Sequence, residues 1–213
     1  MSRLFITRPR YDKGTEYLYA WSEEVVKSAE GLGWVVDKSD GSKANAAEVQ
    51  SKLRKNRADF VFFNGHGSKS QMYGHNHESI LDVSSAHLLD GSIVFSRACN
   101  CVAGLGKSAV KKGCRAFIGY KGNFWIPRTH GRELTPLRDT AAKPVLEVSN
   151  QVPLSILKKC TVSESVSSAK RLAVKYILKL ILSEEPHDRA ALRALSQNDD
   201  CLIFEGNGDA RAE

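Results

Sequence analysis

The 213-residue sequence lacks a long uninterrupted hydrophobic run. Its longest apolar stretch, from Leu172 to Leu182, contains Lys175 and Lys179 and is shorter than the roughly 20 residues that a membrane-spanning helix needs. The beginning of the chain, MSRLFITRPR, has no apolar run after its charges, so we expect no secretory signal. These absences predict a cytoplasmic protein with no membrane association.

The sequence also lacks internal repeats, low-complexity segments and any excess of acidic residues. Lys and Arg number 31 against 24 Asp and Glu, which gives a net charge of +7. Hydrophobic residues make up 42%, enough to bury a core and to exclude general disorder. The basic charge permits nucleic-acid binding, but no helix-turn-helix, zinc-finger or RNA-stacking motif accompanies it. We therefore expect an ordinary basic surface. A non-catalytic basic α/β module that binds nucleic acid or an acidic protein partner is kept as the alternative.

Cysteines are few and odd in number. The five are Cys99, Cys101, Cys114, Cys160 and Cys201. An odd number, without a signal for secretion, argues against a disulfide framework and favours reduced thiols. The sequence therefore predicts free cysteines, one of which is a candidate nucleophile.

Strands alternate with helices over the first part of the chain. The middle strands are continuously apolar, which is typical of parallel strands that are buried on both faces. The sequence therefore predicts an α/β core with a mostly parallel sheet and helices on each side. The predicted strands cover residues 3–8, 34–37, 59–63, 92–96 and 115–120, and the predicted helices cover 15–30, 45–56 and 104–112.

The pattern changes after Tyr120. A polar loop is expected over 121–136, and the segment 137–157 is ambiguous because it contains Pro144 and Pro153. Apolar residues at helical spacing predict a helix over 162–182, a shorter helix over 187–195 and a last strand over 201–204. We expect one domain over residues 1–205, with a core at 1–122 and a loop and mostly helical completion at 123–205. Residues 206–213 are predicted to form a flexible tail.

Polar residues follow two of the buried strands. The third strand runs into Asn64-Gly65-His66-Gly67, and the fourth runs into Arg97-Ala98-Cys99. Ligands of an open parallel sheet collect beyond the carboxyl ends of its strands, so His66 and Cys99 lie side by side if these strands are neighbours.

This arrangement suits a cysteine nucleophile. A nearby helix N-terminus or cation lowers the pKa of a thiol, and we expect the helix near Ala103 and the imidazole of His66 to do so for Cys99. The prediction assigns Cys99 as nucleophile and His66 as proton carrier, with the backbone N–H groups of Gly67 and Cys99 as oxyanion donors.

Three segments then resemble one group of enzymes. The group is the caspase-like cysteine peptidases, which includes caspases, gingipains, separases and CHAT proteases. The segments that resemble it are VFFNGHGSKSQMYG, SIVFSRAC and GLGKSAVKKGCRAFIGYKGNFW. The resemblance covers about residues 58–125 and is closest to the separase and CHAT branch. It implies a caspase-like three-layer α/β/α sandwich and a cysteine endopeptidase that forms a thioester on Cys99 with His66 as its partner. It also implies that no cofactor and no metal are needed.

The chain departs from the classical caspase pattern. The caspase signature begins with Gln before Ala-Cys, whereas Arg97 stands at that position here. The spacing from His66 to Cys99 is also shorter than the roughly 50 residues of caspases. A classical caspase is therefore not expected.

Several alternatives compete with this interpretation. Cys101 is a second candidate nucleophile, which the Ala-Cys match disfavours. His75 and His77 are candidate zinc ligands together with Cys99 and Cys101. Their spacings are not those of common zinc motifs, so a solvated loop is favoured. The segment GLGKS fails as a P-loop because Cys101 occupies the place of its first glycine.

Substrate specificity is the least constrained prediction. In the separase and CHAT branch, an acidic residue in the loop after the fifth strand receives a basic substrate side chain. The matching loop here, KGNFWIPR, has no Asp or Glu, so the preference for Arg or Lys is left open. Asp82 or Glu78 is the alternative acidic residue, and an uncharged or acidic substrate side chain is the other alternative. The candidate substrate-binding residues are Arg97, Asn123, Trp125 and Asp82. We expect a protein or peptide substrate and a regulatory partner protein, but no direct binding of nucleic acid.

Overall fold

The computed structural model describes residues 1–183 and 185–213, with positions 186 and 187 described by their backbone alone. The strands are β1 (Arg3–Arg8), β2 (Val35–Asp40), β3 (Phe60–Asn64), β4 (His66–Gly67), β5 (Gln71–Tyr73), β6 (Ser79–Asp82), β7 (Ile93–Arg97), β8 (Ala116–Tyr120) and β9 (Leu202–Gly206). The α-helices are α1 (Lys13–Gly31), α2 (Ala46–Lys55), α3 (Lys107–Lys111), α4 (Lys143–Leu157), α5 (Val162–Ile181) and α6 (Pro186–Cys201). Over these residues, none of the helices is long and apolar enough to cross a membrane.

The central sheet has the strand order β2-β1-β3-β7-β8-β9. The first five strands run parallel, and β9 pairs antiparallel with β8. The predicted, mostly parallel sheet is therefore confirmed. The strands β3 and β7 are direct neighbours, with Asn64 opposite Arg97 at their carboxyl ends.

Each face of the sheet is covered by its own hydrophobic core. Successive side chains of a strand point to opposite faces, so Phe62 belongs to the core that includes residues of α1, α4, α5 and α6, whereas Phe63 belongs to the core that includes residues of α2 and α3. The phenylalanines and valines of the middle strands are fully buried because both faces are covered. This layering confirms the predicted α/β/α sandwich.

The ambiguous segment 137–157 forms helix α4 despite its two prolines. Pro144 lies in the first turn, where a missing N–H is tolerated, and Pro153 lies inside the helix. Buried residues along this helix, including Val145, Val152 and Ile156, pack against the sheet. Tertiary burial therefore decides a segment whose local preferences are mixed.

A second, three-stranded antiparallel sheet lies between β3 and β7 in the chain. Its strands β4, β5 and β6 are two to four residues long, too short to give a periodic hydrophobic pattern. The sequence pattern therefore does not predict this sheet. It packs Met72, Ile80 and Leu81 into the same core as Phe63.

The predicted flexible tail is wrong. Ala210 and Ala212 are buried. The carbonyl oxygens of Gly208 and Ala210 accept hydrogen bonds from the N–H groups of Ser163 and Val162, at 2.9 Å and 3.1 Å. The first N–H groups of a helix have no partner within the helix, and the tail supplies acceptors for two of them at the start of α5.

Candidate active site

Two neighbouring strand ends place His66 and Cys99 in one cleft. His66 lies two residues after Asn64, the last residue of β3. Cys99 lies two residues after Arg97, which ends β7 and is the register partner of Asn64. Both side chains line a cleft of about 690 Å³. Residues on the loop after β8 and at the start of α1 line the remaining walls.

Asp12 completes this group. Its Oδ2 atom lies 2.7 Å from His66 Nε2. Its Oδ1 atom accepts the backbone N–H of Thr15 at 2.7 Å, which caps the N-terminus of α1. Burial raises the pKa of Asp12, but the hydrogen bonds from Thr15 and His66 outweigh it, so the pKa lies below its usual value. The carboxylate therefore faces the imidazole in its ionised form at neutral pH.

Asp12 was not among the site residues predicted from the sequence. Its local signal was that of a capping box, since Asp12 stands three residues before Thr15 at the start of a helix. That signal predicts a helix end and says nothing about His66, which lies 54 residues further along the chain. Only the parallel pairing of β1 with β3 brings the two loops together.

Cys99 is half-buried, and its Sγ accepts the backbone N–H of Phe124 at 3.4 Å. Burial raises the pKa of the thiol, and the Phe124 N–H opposes this effect only in part. The expectation of a lowered pKa is therefore wrong. The chain after Cys101 begins with an irregular π-helical turn over Val102–Gly106, and α3 starts only at Lys107.

Cys101 is a poorer nucleophile in this structure. It is fully buried and does not line the cleft. Its Sγ lies 3.0 Å from Met72 Sδ and 3.2 Å from the carbonyl oxygen of Cys99. Burial raises the pKa of its thiol to about 12, so the thiolate is scarce at neutral pH.

Gly67 holds β4 close to the segment that carries the two cysteines. A Cβ atom at this position would lie 2.4 Å from Cys101 Sγ and 2.9 Å from the carbonyl oxygen of Cys99. Both distances are shorter than real contacts allow, so the approach requires glycine.

The backbone N–H groups of Gly67 and Cys99 are the predicted oxyanion donors. Ser68 donates to the Gln71 carbonyl at 2.9 Å, and hydrogen-bonded pairs alternate with non-bonded pairs along an antiparallel ladder. The preceding pair, Gly67 with Met72, is therefore non-bonded, and the Gly67 N–H points away from β5. The N–H of Cys99 has no acceptor among the described residues.

The loop after β8 is fixed to the site at successive residues. The Asn100 side chain donates to Asn123 Oδ1 at 2.8 Å, next to the Phe124 N–H that contacts Cys99. Trp125 donates its backbone N–H to Asn198 Oδ1 at 2.9 Å and accepts from Asn198 Nδ2 at 2.8 Å. Asn123 and Trp125 line the cleft, at positions where they can contact a substrate.

Arg97 and Asp82 lie elsewhere, which corrects their assignment to substrate binding. Arg97 is fully buried, and its guanidinium donates to the side-chain oxygens of Asn64 and Asn150 at 2.7–2.9 Å. Burial lowers the pKa of Arg97 to about 10. The Asp82 carboxylate accepts hydrogen bonds from Ser84 and Ser85, which lower its pKa to about 2. Asp82 closes a turn after β6, and neither residue lines the cleft.

The zinc grouping drawn from the sequence does not form. Within the described parts of the chain, the side chains close enough to share a metal ion are Asp12, His66 and His77, with ligand atoms within 4.8 Å of one another. The rings of His66 and His77 are stacked with centroids 4.7 Å apart. His77 therefore packs against the imidazole of the site, and Cys99 and Cys101 stand outside this group.

The fold and the site together define the class of structure. A mostly parallel sheet between two layers, with a histidine and a cysteine beyond neighbouring strands, is the caspase-like α/β fold. The crystal structure of the Arg-specific cysteine proteinase gingipain R matches this chain with a TM-score of 0.63 at 11% identity, over 100% of this chain and 47% of that one.

Two further solved structures agree with this assignment. One, described as a protease, has a TM-score of 0.58 at 13% identity over 99% of this chain and 48% of its own. The complex of the Porphyromonas gingivalis RgpB pro- and mature domains has a TM-score of 0.57 at 10% identity, over 98% and 47%. The chain thus spans about half the length of these structures. The sequence matches no protein-family model and no curated protein.

Proposed function

We propose that this protein is a cysteine endopeptidase in which Cys99 attacks a peptide bond and His66 carries the proton. The observation that supports this proposal most directly is that both side chains line one cleft at the ends of adjacent parallel strands. The similarity to cysteine proteinase structures concerns the fold alone. The proposed reaction is argued from the residues that line the cleft.

The raised pKa of Cys99 determines how the reaction starts. The thiol is protonated at neutral pH, so His66 removes its proton as Sγ attacks the carbonyl carbon. The Asp12 carboxylate, 2.7 Å from His66, stabilises the imidazolium that forms. The backbone N–H groups of Gly67 and Cys99 stabilise the negative oxygen of the tetrahedral intermediate.

The remaining steps return the enzyme to its first state. The imidazolium gives its proton to the leaving amine as the carbon–nitrogen bond breaks, which leaves a thioester on Cys99. His66 then takes a proton from water, whose oxygen attacks the thioester and releases the carboxylic acid. Sγ recovers the proton from His66. These steps need no redox change and no cofactor.

The proposal also includes the finer expectations from the sequence. The five cysteines are all free, which fits a reducing cytoplasm. Kinship with the CHAT and separase branch rests on the three matched segments alone. Regulation by a partner protein is part of the proposal; one solved neighbour is a complex of pro- and mature domains, which is a finding about that protein.

The test is covalent labelling by a peptide that carries an electrophile. The wild type should be labelled at Cys99, as mapped by mass spectrometry, and Cys99→Ala should not be labelled. His66→Ala should be labelled about 100-fold more slowly, since general acid–base catalysis contributes roughly 10²–10⁴-fold. Cys101→Ala is the matched control and should keep its labelling. Equal labelling of all four proteins would contradict the proposal, and loss confined to Cys101→Ala would move the nucleophile.

A further inference from the structure

A second groove continues the catalytic cleft. It has a volume of about 660 Å³ and lies between the loop after β8 and helix α6. Trp125 and Ile126 line both the cleft and this groove. A peptide held in the cleft can therefore extend past these two residues without leaving the surface. Arg189 and Arg193 of α6 line the opposite side of the groove.

The groove has a rigid wall. Asn198 of α6 is buried and exchanges two hydrogen bonds with the backbone of Trp125, at 2.8 Å and 2.9 Å. These bonds fix the loop against the helix, while the Trp125 side chain remains 50% exposed. A groove that is already formed loses little conformational entropy on binding a ligand.

The groove carries positive charges that no negative charge balances among the described residues. Arg189 and Arg193 are exposed and four residues apart, so they lie on the same face of α6. Like charges at this spacing destabilise a helix, and no carboxylate in the described regions is paired with either. Within the part of the chain that the structure describes, the pair therefore has no structural ion-pairing role.

The neighbouring cleft adds to this imbalance. Its one carboxylate, Asp12, is paired with His66, and Lys13 is paired with Glu133 at 2.9 Å. Arg128 also lines the cleft, and over the described residues it has no ion-pair partner. Among the described residues that line this continuous surface, the unpaired charges are thus three arginines, whose field attracts anions.

From these observations we infer that the second groove binds acidic side chains of the substrate, at positions that flank the scissile bond. The planar guanidinium of arginine binds a carboxylate through two parallel hydrogen bonds. Trp125, Ile126 and Pro127 offer apolar contact to the rest of the same peptide. The inference rests on the proposed function, and it identifies the substrates as acidic protein segments.

The test uses electrophilic peptide probes that extend on both sides of the reactive group, such as aza-peptide epoxides. Matched sets carry Glu or Gln at each flanking position, and the rate constant for labelling of Cys99 is measured. At one or more flanking positions, the wild type should react about 10-fold faster with the Glu probe than with the Gln probe. Hydrogen bonds to charged groups contribute enough free energy for a difference of this size. The Arg189→Gln/Arg193→Gln protein should lose this preference and label Glu and Gln probes equally.

The matched control is Lys175→Gln/Lys179→Gln. These lysines are also exposed and four residues apart, but they lie on α5 outside both the cleft and the groove. This protein loses the same charge and should keep the full Glu preference. Thermal unfolding of both double variants confirms that they are folded.

The outcomes separate the two proposals. If no probe labels Cys99 of the wild type, the proposed function fails. If Cys99 is labelled without a preference for Glu, or if the preference survives in the arginine variant, the proposed function stands and this inference is overturned.

Discussion

At the scale of single residues, Asp12 serves two purposes with its two carboxylate oxygens. One oxygen caps α1 through Thr15, and the other lies against His66. The cap fixes the carboxylate in place, since the helix that it begins is packed against the sheet through Val25 and Val26. A local feature of helix formation thereby becomes part of the candidate active site.

Replacing Asp12 with Asn tests this dual use. Asn is as good an N-cap as Asp, so the variant should unfold at nearly the same temperature. It lacks the negative charge that stabilises the imidazolium, so labelling of Cys99 should slow by about 10- to 100-fold, part of the 10²–10⁴-fold that acid–base catalysis supplies.

The control is Thr15→Ala, which weakens the cap and leaves the charge. It should lower the unfolding temperature and affect labelling much less. If Asp12→Asn labelled at the wild-type rate, the carboxylate would have no part in the reaction.

The raised pKa of Cys99 predicts the pH dependence of its alkylation. The thiolate is the reactive form, and burial raises the pKa of the Cys99 thiol above its usual value of 9.0. The rate of reaction with iodoacetamide should therefore rise continuously through neutral pH into the alkaline range, with its midpoint above that value.

Mass spectrometry of the alkylated protein assigns the rate to Cys99. A rate that is constant between pH 5 and 8 would indicate a preformed thiolate, and it would contradict the reaction sequence in which His66 removes the proton during attack.

At the scale of secondary-structure elements, the site depends on the short strand β4. This strand carries His66 into the cleft and presses Gly67 against the segment of Cys99 and Cys101. Its partner β5 anchors it from the other side and contributes Met72 to the core beneath. The position of the histidine thus follows from the packing of a small hairpin sheet.

The variant Gly67→Ala should show how closely this packing is fitted. The new Cβ would overlap Cys101 Sγ and the Cys99 carbonyl oxygen, so we expect a loss of about 1–3 kcal/mol in the free energy of unfolding, as overpacking typically costs. Labelling of Cys99 should fall as well, because β4 must move away from it.

Gly31→Ala provides the comparison. A Cβ at Gly31 meets nothing within 4 Å, so this variant should be as stable as the wild type or slightly more stable. Denaturant unfolding of the two variants measures the difference. Equal stabilities would show that the close approach of β4 is not required.

The loop after β8 links Cys99, the proposed nucleophile, to a distant helix. Asn123, Phe124 and Trp125 contact Asn100, Cys99 and Asn198, respectively. The sequence of this loop predicts neither set of contacts, because its partners lie about 25 residues before it and 73 residues after it. The loop therefore acquires its shape from α6 and from the strand end of β7.

At the scale of the whole molecule, a buried cation joins the layers. Arg97 of β7 donates to Asn64 of β3 and to Asn150 of α4. Asn150 in turn donates to the Glu24 carboxylate of α1 at 2.9 Å. A buried charge needs hydrogen-bonding partners, and here they come from β3, from α4 and, through the Leu18 carbonyl oxygen at 3.5 Å, from α1. The residue before Ala98-Cys99 thus stabilises the sheet beneath the cleft.

The later part of the chain completes this arrangement. Helices α4, α5 and α6 form most of one core, β9 extends the sheet at β8, and the last residues pack at the start of α5. The sequence predicted α5 and α6 from their periodicity, whereas the segment of α4 was ambiguous. It did not predict the tail, because two buried alanines and a few backbone hydrogen bonds leave no pattern in the residue types.

The sequence by itself determined the strands of the central sheet, every helix except α4, and their order, because hydrophobic periodicity and continuous apolar runs are local properties of the chain. It also pointed to His66 and Cys99, because the carboxyl ends of parallel strands share one edge of a sheet. Tertiary structure alone decided that Asp12 faces His66, that Arg97 is buried, and that the Cys99 thiol has a raised pKa. Each of these depends on burial and on hydrogen bonds between residues far apart in the chain, and such contacts exist only after the layers have packed.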